Sequence, residues 1–292
     1  MRSESEPQAS NPATRSPSEP CGEVNAPSSE GSRIILSWPI GPSKPLHGLD
    51  DVHVWCADLD DPRWNSPNAA RSLSRDEWGR ADRFHFVRDR ERFIAARALL
   101  RSLLARYLVT QPKKIAFQYE AHGKPILVGN SGRVELHFNV SHSENLGAFA
   151  LARGSEVGID VELLRSVPEM KKIASDYFSR AELKALESLP KSRQSIAFLR
   201  AWTRREAVLK ATGEGIGSGL DQIEVPLDAN ETAIVRRPPS GAMEHWAVLE
   251  IRPATGFIGA VAVRNPSAKI ECWRWSRTSE YHSPRLRGAR KP

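Results

Sequence analysis

The sequence predicts an α+β protein in which long helices pack on small, mostly antiparallel sheets. Two observations lead there. Apolar residues recur at helical spacing in two long stretches, one within 74–108 and one within 196–211. Around each stretch lie about three short apolar runs bounded by turn residues, the mark of strands. Each half of the chain thus offers one long helix and about three strands, which suits helices layered on sheets. The second half repeats this plan loosely, without an identity between the halves that would make a repeat.

The elements follow in order. His53-Val54-Trp55 reads as the first strand, so order is expected from about Asp51. Ser74 precedes Glu77 by three residues, a capping-box spacing. From there Phe93, Ala96, Leu100, Leu103, Leu104 and Tyr107 predict one amphipathic helix over 74–108, ended before Pro112. Ile115–Tyr119 reads as a strand, His122-Gly123-Lys124-Pro125 as a turn, and Phe138–Val140 with Gly147–Ala152 as a strand pair. Val157–Val161 is a strand. Ser179 and Glu182 form a second capping box, opening a helix to about Leu189 that Pro190 breaks. Ile196–Ala211 is the second long helix, closed by Gly213 and Gly215. Ile223–Val225, Trp246–Ile251 and Phe257–Val263 are strand-like. These divide the chain into an extension at 1–50, two halves at 51–154 and 155–266, and a basic tail at 267–292.

Composition narrows the class. Apolar residues make up 40% and charged residues 26% of 292, which is ordinary for a globular protein. Residues 1–32 are rich in Ser, Pro, Glu, Asn and Gly and hold too little apolar surface to offset their ordering entropy, so they read as disordered. The net charge is +7, and from Arg274 to Lys291 five Arg and one Lys face only Glu280. Such a tail is ordinarily a solvated end; contact with nucleic acid is the rival reading, but no nucleic-acid motif accompanies it. Cys21, Cys56 and Cys272 are far apart, which speaks against a zinc site or disulfide framework and fits the reducing cytoplasm. The start lacks the apolar core of a signal peptide, and no apolar run is long enough for a membrane span.

Four motifs carry candidate chemistry. In Gly158-Ile159-Asp160-Val161-Glu162, a strand points Asp160 and Glu162 to one side. Paired carboxylates repel unless a cation or proton lies between them, and all-oxygen ligands favour a hard ion such as Mg²⁺. Two solvated acids at a strand end are the plainer reading of this motif alone. In Trp202–Lys210, Trp202, Glu206 and Lys210 are spaced by four and share one helix stripe. A surface salt bridge explains the Glu–Lys pair, but the Trp argues that the stripe is partly buried. Asn139-Val140-Ser141-His142-Ser143 is either a ligand-contacting strand end or a turn with local hydrogen bonds. His122-Gly123-Lys124-Pro125 places a cation on a turn. The run Gly213-Glu-Gly215-Ile-Gly217-Ser-Gly219 matches neither a P-loop nor a dinucleotide fingerprint.

Taken in order, GKP, FNVSHS, GIDVE and WTRREAVLKATGEGI resemble the phosphopantetheinyl transferases of the surfactin-synthetase-activating type, over roughly residues 51–265. No one motif is specific; the ordered set is. The resemblance implies the family's fold, two pseudo-symmetric α+β halves with the active site in the cleft between them. It implies transfer of the phosphopantetheine of coenzyme A to a serine of an apo acyl or peptidyl carrier protein, with release of adenosine 3′,5′-bisphosphate. The carriers served by the family belong to fatty-acid, polyketide, non-ribosomal peptide and aminoadipate systems. By the same resemblance Asp160, Glu162 and Glu206 are the Mg²⁺ ligands, and Glu206, or a water it activates, is the general base. Asp160, Glu206 and Lys210 are the catalytic set. Arg80, His122, Gly123, Lys124, Asn139, Ser141, His142 and Lys210 contact coenzyme A, with Arg92 and Arg97 as weaker candidates beside Arg80. Arg205 stands where many members have Lys, which predicts an altered phosphate geometry. Two fused halves predict a cytoplasmic monomer.

Overall fold

A computed structural model describes residues 37–42, 52–65, 67–129, 135–213, 219–220, 223–228, 233–237 and 244–276. The segment 1–32, the glycine-rich run 214–218 and the basic end 277–292 lie outside these residues. The fold is a mixed α+β arrangement of two four-stranded sheets, a two-stranded hairpin and six α-helices among the described residues. The strands are β1 (Val52–Asp58), β2 (Phe117–Tyr119), β3 (Pro125–Leu127), β4 (Leu136–Ser143), β5 (Leu146–Arg153), β6 (Val157–Leu163), β7 (Ala233–Arg237), β8 (Glu244–Ile251), β9 (Phe257–Val263) and β10 (Ile270–Arg274). The helices are α1 (Pro67–Ala70), α2 (Arg75–Ala81), α3 (Val87–Tyr107), α4 (Met170–Tyr177), α5 (Arg180–Ser188) and α6 (Lys191–Thr212).

The first sheet runs β10-β1-β5-β4, the second β6-β9-β8-β7, and β2 pairs with β3. All pairings are antiparallel except β1 with β10. Strand periodicity sends alternate residues to opposite faces. On β5, Phe149 and Leu151 join the core under α3, while Ala148, Ala150 and Ala152 face the second sheet. Their small side chains meet Val157, Ile159, Val161 and Val261 there. The other face of the second sheet, with Trp246, Val248, Ile258 and Ala260, packs on α6 through Ala207, Val208 and Ala211. The layers are therefore helix, sheet, sheet, helix.

Four sequence expectations change. The helix expected over 74–108 is two helices, α2 and α3, with a break at 82–86. A continuous helix would place Glu77 and Arg97 about 30 Å apart. Instead the buried Glu77 carboxylate accepts from Arg97 and Arg101 on α3, each at 2.7 Å, and from the Ser74 N–H at 2.8 Å. Folding α2 back on α3 gives this buried acid its cations, and that outweighs helical continuity. Second, order begins before Asp51. Trp38 is buried, and Gly41 N–H donates to Arg274 C=O at 3.0 Å. Third, the tail expected from 267 contains β10, whose Trp273 stacks beside Trp55 at 5.0 Å. The segment 37–42 and β10 thus complete the first sheet among the described residues. Ile223–Val225 also forms no sheet strand; both side chains are buried in the core of the second layer.

Cys56 and Cys272 are free and buried on neighbouring strands. Burial pushes both thiols from an ordinary 9.0 up to about 12, with Arg274 only partly opposing this at Cys56. A thiol kept neutral in the fold stabilises it fully below pH about 9, and that stabilisation is lost as the pH rises toward 12. At pH 10 each thiol should cost about 1.4 kcal/mol. Denaturant titrations at pH 8 and pH 10 should therefore show a smaller loss for the Cys56→Ala/Cys272→Ala variant than for the parent; equal losses would contradict the assignment.

Candidate active site

Three elements bring the site together: β4 from the first sheet, and β6 and α6 from the second. Their closeness begins with a glycine. A Cβ on Gly158 would lie 1.8 Å from the Ala207 carbonyl oxygen and 2.6 Å from the Ala211 nitrogen, both backbone atoms of α6. Only glycine lets α6 settle this tightly on β6, which brings the Glu206–Lys210 turn of the helix over Asp160 and Glu162.

Asp160 is 4% exposed. Its Oδ1 accepts from Lys210 Nζ at 2.5 Å and from Ser141 Oγ at 2.8 Å, and Lys210 Nζ also reaches Ser141 Oγ at 3.1 Å. Asp160 Oδ2 and Glu206 Oε1 are buried with no hydrogen-bond partner. Glu206 is pushed from 4.5 up to about 7, first by burial, with the Asp160 and Glu162 charges adding and Lys210 opposing. Burial and then the Asp160 charge also raise Glu162, against the hydrogen bond from Ser143. Three carboxylates therefore crowd one ammonium group in a pocket that buries Asp160 and Glu206 and leaves Glu162 and Lys210 half-buried. Buried, unpaired carboxylate oxygens are rare and call for a cation. The trio is not a finished ligand sphere, however. Among the described residues no group of three His, Cys, Asp or Glu side chains is in place to hold a metal ion.

The other predicted site residues divide. Asn139 and Ser141 are buried and face β6. Their polar atoms engage β6 and α6, so the contacts shown are with Ile159 N–H, Val161 N–H, Asp160 and Lys210. His142 points to the opposite face of β4. It opens on a cavity of about 390 Å³ whose lining holds two arginines, Arg88 and Arg92, two acids, Asp89 and Glu144, and Phe84 and Phe93. Loss of hydration and the Lys210 ammonium hold its imidazole below the ordinary value. Lys124 Nζ donates to Ala211 C=O at 2.6 Å, next to Lys210, and burial lowers its pKa. His122 and Gly123 form the exposed turn of the β2–β3 hairpin, where Gly123 has φ +82°. Arg80 is not with the acids; its guanidinium lies 3.8 Å over the Tyr119 ring of that hairpin. The hairpin thus ties Arg80 at one side and the end of α6 at the other.

Two family models match the chain: one described as 4′-phosphopantetheinyl transferase, N-terminal, over residues 62–153, and one described as the 4′-phosphopantetheinyl transferase superfamily, over 156–262. The 4′-phosphopantetheinyl transferase HetI of Nostoc sp. is 39% identical over 226 residues, which is 77% of this chain and 93% of its own length. The chain belongs to the 4′-phosphopantetheinyl transferase superfamily. A putative 4′-phosphopantetheinyl transferase of Synechocystis sp. is 37% identical over 198 residues, 68% of this chain and 78% of its own. The 4′-phosphopantetheinyl transferase psf-1 of Bacillus pumilus is 31% identical over 188 residues, 64% and 77% of the two chains. As a member, this chain is a transferase of the phosphopantetheine group.

Arg205 corrects the reading of the transferase's motif. It does not face the acids. It is fully buried on another face of α6, with one guanidinium nitrogen, Nη2, donating to both oxygens of Glu182 at 2.5 Å and the group lying 4.3 Å over the Phe178 ring. Glu182 also accepts from Val225 N–H and Ser179 N–H. Neighbours on a helix point about 100° apart, so the adjacency of Arg205 and Glu206 was itself the signal. Arg92 and Arg97 are likewise engaged, Arg92 with Asp60 and Glu144, Arg97 with Glu77. Replacing Arg205 by Leu should cost about 3–5 kcal/mol by stranding Glu182. Arg205→Lys, which keeps the charge but loses the bond to Ala201 C=O and the guanidinium over Phe178, should lower the thermal midpoint yet leave the KM for coenzyme A within twofold. A large KM change would return Arg205 to the substrate site.

Proposed function

We propose that this transferase moves the phosphopantetheine of coenzyme A onto a serine of apo acyl or peptidyl carrier proteins, using the pocket between β4, β6 and α6. The observation that carries this reading is the pair of buried, unpartnered carboxylate oxygens, Asp160 Oδ2 and Glu206 Oε1, beside the Lys210 ammonium. An all-oxygen donor set fits Mg²⁺, and Asp160, Glu162 and Glu206 are the residues that would hold it. When bound, magnesium neutralises charge on the pyrophosphate and on the leaving bisphosphate. Lys210 supplies a cation beside the transferred phosphate. Lys124 with His122 and Gly123 at the hairpin, and Arg80, form the basic surround for the phosphates of coenzyme A, with Asn139, Ser141 and His142 as further polar contacts.

In the proposed step the serine Oγ attacks the β-phosphorus in line. The new P–O bond forms as the bond to the pyrophosphate bridging oxygen breaks, and that oxygen leaves with the electron pair on adenosine 3′,5′-bisphosphate. The serine proton passes to Glu206 or to a water it orients. Positioning and charge stabilisation supply most of the acceleration. The net charge of +7 suits acidic carriers. We further propose that the two sheet-and-helix layers are pseudo-symmetric halves, since each sheet is backed by one helix of 21 or 22 residues. A cytoplasmic monomer completes the reading. The free thiols of Cys56 and Cys272 support the compartment, and among the described residues no helix is long and apolar enough to cross a membrane.

Apo carriers of the fatty-acid, polyketide and peptide-synthetase classes, each mixed with the enzyme, coenzyme A and Mg²⁺, should gain one phosphopantetheine by mass spectrometry in at least one case. No gain with any of them would sink the proposal. Asp160→Asn and Glu206→Gln should each lower kcat/KM about 10²-fold or more. Their thermal midpoints should shift by no more than about 4 °C. Retained activity in Asp160→Asn would remove the metal assignment.

A further inference from the structure

Among the described residues β6 is an edge strand of the second sheet, paired only with β9, and β4 is an edge strand of the first. The two edges meet, but their backbones do not pair. Side chains of β4 take the place of a partner strand instead. Asn139 Oδ1 accepts from Ile159 N–H at 3.1 Å, Ser141 Oγ from Val161 N–H at 3.3 Å, and Ser143 Oγ from Leu163 N–H at 3.1 Å. The spacing is two residues on both strands, so three rungs repeat in register.

Each rung also grips one group of the pocket. Asn139 Nδ2 donates to the Lys210 carbonyl at 3.3 Å, Ser141 Oγ to Asp160 Oδ1 at 2.8 Å, and Ser143 Oγ to Glu162 Oε2 at 3.0 Å. A serine hydroxyl has one proton to give and lone pairs to accept with, and Ser143 uses both. Glu162 is the least buried of the three acids, and the Ser143 hydroxyl is the side-chain hydrogen bond that the structure gives its carboxylate.

We propose that Ser143 is a positioning residue for metal binding: the third rung of the β4–β6 ladder, it holds the Glu162 carboxylate in place through its hydroxyl. The inference rests on the reading above that Glu162 takes the metal. Ser143 and Leu163 are half-buried, so water can replace the lost bonds, and the effect of removing the hydroxyl falls on the carboxylate rather than on the fold. Partners that orient a ligating carboxylate are worth about 10- to 100-fold in metal affinity.

The experiment is an electron-paramagnetic-resonance titration of the full chain with Mn²⁺, with coenzyme A present. Ser143→Ala should weaken Mn²⁺ binding about tenfold. The Mg²⁺ concentration for half-maximal rate should rise in step, and Ser143→Thr should restore both to within about twofold. In a Glu162→Gln background, Ser143→Ala should add nothing further. Unchanged Mn²⁺ affinity in Ser143→Ala, no rescue by Thr, or the same loss in the Glu162→Gln background would each overturn the proposal. A parent enzyme that binds no Mn²⁺ would overturn the metal reading itself, and this inference with it.

Discussion

The joint between β4 and β6 is the constraint on which the site depends. An edge strand at the meeting of two sheets leaves backbone N–H groups without a strand partner, and each must find an acceptor. A backbone partner would satisfy them but would merge the two sheets at this edge. Asn139, Ser141 and Ser143 satisfy them with side chains instead. The separation this allows leaves polar atoms free to reach Asp160, Glu162 and the end of α6. Structure and chemistry share the same three residues.

Gly158 sets the other wall. Because α6 rests directly on the β6 backbone, Glu206 and Lys210 come over the strand acids without a layer of side chains between them. The charges that result are poorly hydrated, which is why Glu206 is held near neutrality. Arg205, one residue earlier, is spent on fastening α5 to α6. The same helix thus carries its anchoring ion pair and its reactive stripe on different faces.

Much of this was legible in the sequence, and the physical reason differs by element. GIDVE declares itself because strand alternation puts both acids on one side, and WTRREAVLK because a four-residue stripe joins Trp202, Glu206 and Lys210. The capping boxes at Ser74 and Ser179 begin helices where expected. What failed was whatever depends on distant partners. The break after Ala81 exists because Glu77 needs Arg97 and Arg101, and no local residue announces it. The β6 contacts of Asn139 and Ser141 were not legible, because a polar strand end looks the same in sequence whether it faces a substrate, a neighbouring strand or both. The period of two through Ser143 was the available clue. β10 escaped notice because its few apolar residues stand at the head of a basic stretch.

That last strand bears on how the chain is made. β1 is synthesised long before β10, yet the two are neighbours, with Val52 opposite Ile270. The early sheet must wait, with that edge bare, until β10 has been synthesised. Such long-range pairing slows closure and leaves an unpaired edge open to other chains in the interval. A truncation that spares every residue of the pocket but removes 270–276 would therefore be felt as a failure of biogenesis, not of chemistry.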